Sequence, residues 1–505
     1  MRRPDRRSKI ICTLGPSTQT DEKISQLILA GMDVARVNFS HGTHQSHKET
    51  IERVRSQSQK LNIPVAILGD LQGPKIRTGR FLHTPYPQSP KIDLKAGQRL
   101  FFKGVEPNSN PDPGLGTQEC PLTISYARLG WDLKKGDSVL FDDGLVRMTV
   151  VSSFPETNSV ELEVEVGKTL GENKGVNMPG AKLSTLGITE KDWDDIQFGV
   201  ENQIDFFALS FVRTAREVKS LKSFLDQRQI PIHVIAKIEK AEAIENLNDI
   251  LHWTDGIMVA RGDLGVEVGN ENVPILQKKI IQYARAAGKP VITATQMLMS
   301  MVQNPTPSRA EASDVANAVI DGTDALMLSN ETATGEYPIE SVTTMSHIIL
   351  GAETLSSRPI THANPWGSGW NDSTKLPVSE AIEAAATRLA HSMGAKALAC
   401  LTRSGQAARQ LAKYRPQIPI FAFAENKKVR HQLCLCWGVS VIPWREMTSQ
   451  DYTLFDTLVA ELGRLGFLKE GDYSVLTAGI PTTRQVGTTN TIVVKKYSSQ
   501  NEEKR

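Results

Sequence analysis

Hydrophobic positions along the chain gather into short runs that end in polar or glycine residues. Eight of them stand out up to Leu328: Lys9–Leu14, Val34–Phe39, Val65–Leu68, Phe206–Phe211, Val234–Ile238, Gly256–Ala260, Val291–Ala294 and Ala325–Leu328. Each is followed by a helix-like segment or a long excursion. Continuous apolar runs alternating with helices of roughly ten or more residues are the pattern of parallel βαβ units, buried on both faces. A count of eight predicts a closed (β/α)8 TIM barrel rather than an open sheet. Thr214-x-x-Glu217 and Ser308-x-x-Glu311 are capping boxes that start two of the helices, with Pro307 delimiting the second.

The alternation stops between the third and fourth runs. From about Pro74 to Thr185 the pattern is strand-like, as in Ser138–Val151 and Ser159–Val166, with turns at Lys135-Gly136-Asp137 and Asp142-Asp143-Gly144. This predicts a small β-barrel domain inserted in a barrel loop, where it can act as a lid. After the barrel, Ser356–Pro377 is rich in Pro, Gly and Ser and reads as a linker. A second α/β pattern follows. It comprises helix Ser379–Ser392, strand Ala397–Leu401, helix Ala407–Lys413, strand Ile418–Phe423, helix Lys428–Trp437, strand Val439–Pro443, helix Tyr452–Leu465, and strands Val475–Ala478 and Thr491–Lys495. The expected fold class is α/β, a (β/α)8 TIM barrel with an inserted small β-barrel domain and a C-terminal α/β domain. The barrel takes residues 1–73 and 186–355, the inserted lid 74–185 and a C-terminal α/β domain 356–505.

Length and composition agree with this division. A chain of 505 residues suggests about three domains, and 40% hydrophobic with 23% charged residues is ordinary for a globular protein. A formal net charge of +2 gives no global case for nucleic acid or a membrane surface as partner, and no apolar run is long enough to span a bilayer. Met1–Arg7 is basic but has no apolar stretch behind it, so it reads as a solvated arm and the expected location is the cytoplasm. Five scattered cysteines fit reduced thiols. His431-x-x-Cys434-x-Cys436 lacks the paired spacing of zinc sites and reads as core packing.

In an eight-stranded barrel the chemistry lies at the C-terminal ends of the strands. Those ends carry Arg36, Asn38, Ser40 and His41, then Asp70 and Arg77, Ser210, Lys237 and Glu239, Gly262 and Asp263, Thr295, and finally Ser329 and Glu331. Lys237 interrupts the run Ile235-Ala236-Lys237-Ile238-Glu239, and a buried lysine is costly unless paired. It reads either as one half of a structural ion pair with Glu239 or Asp263, or as a working cation. Glu239 and Asp263 meet the needs of Mg²⁺, which takes one or two carboxylates and fills its shell with water and substrate oxygens. Gly262 permits close backbone approach to an anion, and Arg36 and Arg77 supply fork-shaped donors for phosphate. Neither a Walker A motif nor a G-x-G-x-x-G fingerprint occurs.

These residues sit in segments that resemble the pyruvate kinase family. The segments are Lys9–Pro16, Val34–Gly42 (VARVNFSHG), Gly73–Gly79 (GPKIRTG), Lys174–Gly180, Ala236–Glu239, Met258–Gly265 (MVARGDLG), Gly288–Met297 (GKPVITATQM) and Arg309–Thr332. They cover nearly the whole barrel in order. The resemblance implies Mg²⁺- or Mn²⁺-dependent phosphoryl transfer from phosphoenolpyruvate to ADP, giving pyruvate and ATP. It implies that Glu239 and Asp263 hold the metal and that Lys237 stabilises the transferring phosphoryl group and the enolate. The amides near Gly262 and Asp263 would receive the substrate carboxylate, and Arg36 and Arg77 phosphate. Thr295, with water and Ser329, would belong to the relay that protonates the enolate, and Arg36, His41 and Lys174 would serve the nucleotide. A homotetramer is implied as well.

One departure concerns a monovalent cation. The family often holds K⁺ with Asn and Ser after the second strand, Asp-Thr after the third and a glutamate in GPEIRTG. Here Asn38, Ser40 and Asp70 are kept, but Leu71 replaces the threonine and Lys75 the glutamate. Leucine removes a hydroxyl ligand and lysine brings a fixed positive charge. The expectation is that the Lys75 ammonium stands in for K⁺, so K⁺ is not required; the plain alternative is a solvated charge. In the C-terminal domain, Thr402-Arg403-Ser404-Gly405-Gln406 joins a strand to a helix. By resemblance it receives a sugar-phosphate effector; the plain alternative is an ordinary turn. Two other readings of the whole chain are a Mg²⁺-dependent carbon–carbon lyase, which would need neither lid nor His41 and Lys174, and a non-catalytic paralogue. The presence of Lys237, Asp263 and Thr295 speaks against the paralogue.

Overall fold

Eight parallel strands follow one another round a closed barrel: Lys9–Thr13, Val34–Asn38, Ala66–Asp70, Phe206–Leu209, His233–Ile238, Gly256–Ala260, Val291–Ala294 and Ala325–Leu328, the last paired back to the first. The expected runs coincide with these strands apart from their outermost residues. In this computed structural model the described residues are 6–82, 90–107, 109–184, 187–355, 376–444, 453–480 and 489–499. Nearly all of the expected linker, most of the N-terminal arm and the end of the chain from 500 onward lie outside them.

Side chains alternate across the wall, as strand geometry requires. Ile11, Val34, Leu68, Phe206, Ala208, Ile235, Met258, Ile292 and Met327 form one buried cluster inside the barrel. Ile10, Cys12, Val37, Ile67, Val234 and Ala236 point outward and pack beneath the helices. Both expected capping boxes form, at Thr214/Glu217 and Ser308/Glu311.

The inserted domain carries a six-stranded sheet in the spatial order Val176–Asn177, Ser138–Phe141, Val146–Phe154, Ser159–Val166, Arg99–Gly104 and Leu122–Ile124, with a two-stranded sheet of Lys91–Asp93 and Thr169–Gly171. Both wrap one core that includes Phe102, Phe141, Val150 and Leu170. Arg77 bridges Gly175 beside one edge strand, and Thr78 bridges Ile124 in the other. The segment entering the domain thus joins the two edges and curls the sheet toward closure. The expected run Ser138–Val151 is a hairpin, because Asp142 and Asp143 take left-handed conformations (φ 51° and 55°) and turn the chain.

The C-terminal domain is a five-stranded sheet in the order Val439–Pro443, Ile420–Ala424, Ala397–Leu401, Tyr473–Ala478 and Thr491–Lys496, parallel except for the last pair. One expectation here is corrected. The helix anticipated over Lys428–Trp437 ends at Gln432, and Leu433–Leu435 form a single 3₁₀ turn. That turn drives Cys434 and Leu435 into the cluster inside the barrel and closes its floor.

The domain is also held to the barrel by charge. Asp205, fully buried, is met by Arg55 at 2.8 Å, Lys428 at 3.3 Å and His431 at 3.4 Å. His431, Cys434 and Cys436 therefore go three ways: to Asp205, to the barrel floor and to the core of the C-terminal domain. Burial pushes both thiols up to about 12, as expected of packing cysteines. No helix among the described residues is long and apolar enough to cross a membrane.

Candidate active site

The inward row of side chains changes character at the C-terminal mouth of the barrel. Two residues beyond the apolar layer, Ile11 gives way to Thr13, Val34 to Arg36, Leu68 to Asp70, Ala208 to Ser210 and Ile235 to Lys237. The period-two pattern that builds the core therefore stacks a polar layer directly on it.

In that layer the Lys237 ammonium lies 2.9 Å from Glu239 Oε1 and 3.2 Å from Asp70 Oδ1, and donates to Ser210 Oγ at 2.7 Å. Arg36 Nε donates to Asp70 Oδ2 at 2.7 Å and its Nη1 to Thr13 Oγ1 at 2.9 Å. Glu239 Oε2 accepts the Phe211 N–H at 2.6 Å. Burial disfavours the charge on Lys237, but Asp70 and Glu239 outweigh it and hold its pKa above the ordinary lysine value. Burial likewise opposes ionisation of Asp70, and Lys237 and Arg36 reverse that, leaving its pKa lowered. Glu239 is different. Burial raises its pKa, Lys237 pulls it down and the nearby Asp263 pushes it up again. A buried carboxylate whose charge a second carboxylate nearby disfavours forms with it a donor set suited to a hard divalent cation.

Asp263 stands in the first turn of the helix Arg261–Val268, which starts at the end of the sixth strand. The Gly262 N–H donates to Thr295 Oγ1 at 2.9 Å, and that hydroxyl donates to the Ala294 carbonyl at 2.6 Å. Thr295 and Gln296 both take left-handed backbone conformations, with φ of 69° and 54°. Such residues are strained and persist where the surroundings hold them. Arg261 does so: Nη2 donates to the Thr295 carbonyl at 2.7 Å, Nε to the Ala294 carbonyl at 3.3 Å, and Nη1 pairs with Asp314 at 2.7 Å. Glu331, fully buried, accepts the Ser329 N–H at 2.7 Å and the Leu298 N–H at 3.1 Å, joining the loops after the seventh and eighth strands.

The lid faces this mouth across a cleft of about 870 Å³, with Ser138, Leu140, Asp143 and Arg147 opposite Gly262, Asp263, Thr295 and Ser329. A second cleft of about 300 Å³ lies toward the lid hinge, and Lys75, Asp263 and Glu267 line both. Lys75 makes no ion pair among the described residues. Leu71 is buried, and its carbonyl accepts the Ser210 hydroxyl at 2.7 Å. Asn38 Oδ1 accepts the Ser40 N–H at 3.2 Å.

Three candidates stand apart from the Lys237 layer. Arg77 Nη1 donates to the Asn173 carbonyl at 2.9 Å, Lys174 pairs with Asp142 at 2.9 Å within the lid, and His41 is exposed beyond the second strand. In the C-terminal domain, Thr402 Oγ1 accepts the Gly405 N–H at 2.9 Å, and Gly405 has φ of 80° ahead of the helix Gln406–Lys413. Thr13, which the sequence reading did not name, could have been singled out from the inward register alone, as Ser210 was from its strand end. Arg261 carried no such signal beyond its place before Gly262-Asp263.

With the geometry in view, comparison with known proteins decides the family. The model of the pyruvate kinase barrel domain matches residues 5–342, and that of the pyruvate kinase alpha/beta domain matches residues 380–495. The chain belongs to the pyruvate kinase family. It is 42% identical over 495 residues to a pyruvate kinase of Geobacillus stearothermophilus, covering 98% of this chain and 81% of that protein. It is 40% identical over 488 residues to a pyruvate kinase of Staphylococcus epidermidis, covering 96% and 79%. The crystal structure of a pyruvate kinase from Cryptosporidium parvum superposes with a TM-score of 0.86 at 33% identity, covering 97% of this chain and 96% of that one. The chain is thus a phosphotransferase of glycolysis. Enzymes of this family act on phosphoenolpyruvate and ADP and use Mg²⁺.

Proposed function

We propose that phosphoryl transfer from phosphoenolpyruvate to ADP runs on the wall formed by Lys237, Glu239 and Asp263. The observation that carries this reading is the Lys237 ammonium held between Glu239 and Asp70 at the barrel mouth. Its raised pKa keeps it charged at any working pH, so it acts as a fixed cation toward the transferring phosphoryl group and the enolate rather than as a base. Glu239 and Asp263 would hold Mg²⁺ or Mn²⁺, which when bound neutralises charge on the phosphate oxygens. Arg36, braced by Asp70 and Thr13, presents its guanidinium to phosphate. Arg77 joins Arg36 on phosphate when it leaves the Asn173 carbonyl, and Arg36, His41 and Lys174 serve the nucleotide side, Lys174 on leaving Asp142. The N-terminus of the helix Arg261–Val268, with Gly262 and Asp263, takes the substrate carboxylate. Thr295, whose hydroxyl already bridges an amide and a carbonyl, belongs with Ser329 to the relay that delivers a proton to the enolate carbon.

The enzyme is read further as cytoplasmic and independent of K⁺, with Lys75 in place of the ion beside the vestigial ligands Asn38, Ser40, Asp70 and Leu71. The loop Thr402–Gln406 is read as a sugar-phosphate effector site, supported by the left-handed Gly405 and the helix that follows it. A homotetramer is read from the resemblance to the family. The test of the core reading is pyruvate and ATP formation from phosphoenolpyruvate, ADP and Mg²⁺, abolished by chelation and by Asp263→Ala. Turnover that survives Asp263→Ala would refute the metal assignment. For the effector loop, candidate sugar phosphates should shift the phosphoenolpyruvate saturation curve in the wild type and not in Thr402→Ala; no shift with any of them favours a plain turn.

A further inference from the structure

Glu267 lies four residues after Asp263, on the same face of the helix Arg261–Val268, and its side chain is only 4% exposed. One carboxylate oxygen, Oε1, meets two partners. The Lys240 ammonium lies 2.5 Å away, and the Asn177 side-chain amide donates to it at 3.2 Å. Lys240 directly follows Glu239, and its ammonium sits 5.9 Å from the ring of Phe211, whose N–H binds Glu239. Asn177 belongs to the lid. It pairs with Leu140 in the lid sheet, and Leu140 lines the cleft above Asp263. The bond from Glu267 to Asn177 therefore joins the lid sheet to the barrel. Through Lys240 the same carboxylate is tied to the segment that carries the other acid of the site.

We propose that Glu267 is a positioning residue that latches the lid over the phosphoryl site. This rests on the reading of the site given above and goes beyond it by naming the contact that sets lid closure. A lid excludes water and completes the constellation when it closes. The latch lies on the lid side, so it governs the nucleoside diphosphate brought under the lid, whereas the phosphoenolpyruvate carboxylate is held by the barrel. A hydrogen bond to a charged acceptor is among the stronger ones, and here it is partly buried.

Asn177→Ala removes the lid end of the latch and leaves the Lys240–Glu267 pair intact. Asn177→Asp sets a carboxylate against a carboxylate and opens the lid further. The expected result is a KM for ADP raised about tenfold in Asn177→Ala and more in Asn177→Asp. The KM for phosphoenolpyruvate and the melting temperature should stay near wild type. In the free protein, amide hydrogen exchange should quicken in Ser138–Phe141 and Val176–Asn177 and remain unchanged in the barrel strands. Unchanged exchange and unchanged KM for ADP in both variants would overturn the latch. So would an equal rise in both KM values with a lowered melting temperature, which marks a merely structural contact. If the wild type itself made no pyruvate, the functional reading would fall, while lid exchange in the free protein would still decide the latch.

Discussion

The Arg261 guanidinium donates to the Thr295 carbonyl at 2.7 Å while Asp314 holds its other branch at 2.7 Å. The turn that carries the proposed proton relay is therefore kept in its left-handed conformation by a side chain from the neighbouring strand end. Arg261→Lys keeps the charge but loses the planar fork that reaches two carbonyls and a carboxylate. The expected result is a fall in kcat of about a hundredfold, as for other misplacements of reacting groups by about an ångström. The KM for phosphoenolpyruvate should change little. Steady-state kinetics check this, and a loss confined to KM would argue against the clamp.

Lys75 lines both clefts next to Asp263. If its ammonium replaces a monovalent cation, wild-type turnover persists when K⁺ is exchanged for tetramethylammonium. Lys75→Glu, which installs the carboxylate common in the family, should then turn over only when K⁺ is supplied. A drop of the wild type to background in tetramethylammonium would contradict the substitution.

Asp205 ties the C-terminal domain to the barrel. Burial opposes its ionisation, but hydrogen bonding to His431 and the charges of Arg55, His431 and Lys428 prevail and hold its pKa well below the ordinary aspartate value. The unfolded chain binds this proton near pH ~3.9, so the stabilisation is present above that value and fades as pH falls through the lower folded value. Asp205→Asn leaves the Arg55 and Lys428 cations without their carboxylate and removes it from beside His431, whose own pKa burial lowers. It should cost about 3–5 kcal/mol at neutral pH, the range for breaking a buried pair. Urea unfolding at neutral pH and at about pH 3 measures both effects, and the difference between wild type and variant should shrink at the lower pH.

The barrel was legible because its strands are buried on both faces and so appear as unbroken apolar runs; Gly256–Ala260 and Val291–Ala294 are observed with the bounds expected. The polar layer was legible for the same reason, since Lys237 and Asp70 stand at the ends of those runs. The two readings of Lys237 proved compatible: it is ion-paired with Glu239 and it faces the site. What local pattern could not convey was destination. Leu433–Leu435 continue the apolar pattern of the helix, yet they leave it in a 3₁₀ turn, and Cys434 and Leu435 plug the barrel floor. Arg77 and Lys174 have long side chains that rest on the lid, and nothing in their neighbours foretells that. The contact between Asn177 and Glu267 joins segments far apart in sequence and lies beyond any local pattern.

The central claim is that the Lys237 cation carries the transferring charge. The decisive measurement is kcat for pyruvate formation by Lys237→Met, with Mn²⁺ binding followed by electron paramagnetic resonance and the fold by circular dichroism. The account predicts that kcat falls by about 10²–10³-fold or more, while Mn²⁺ still binds at Glu239 and Asp263. A variant that folds, binds Mn²⁺ and turns over at the wild-type rate would contradict it.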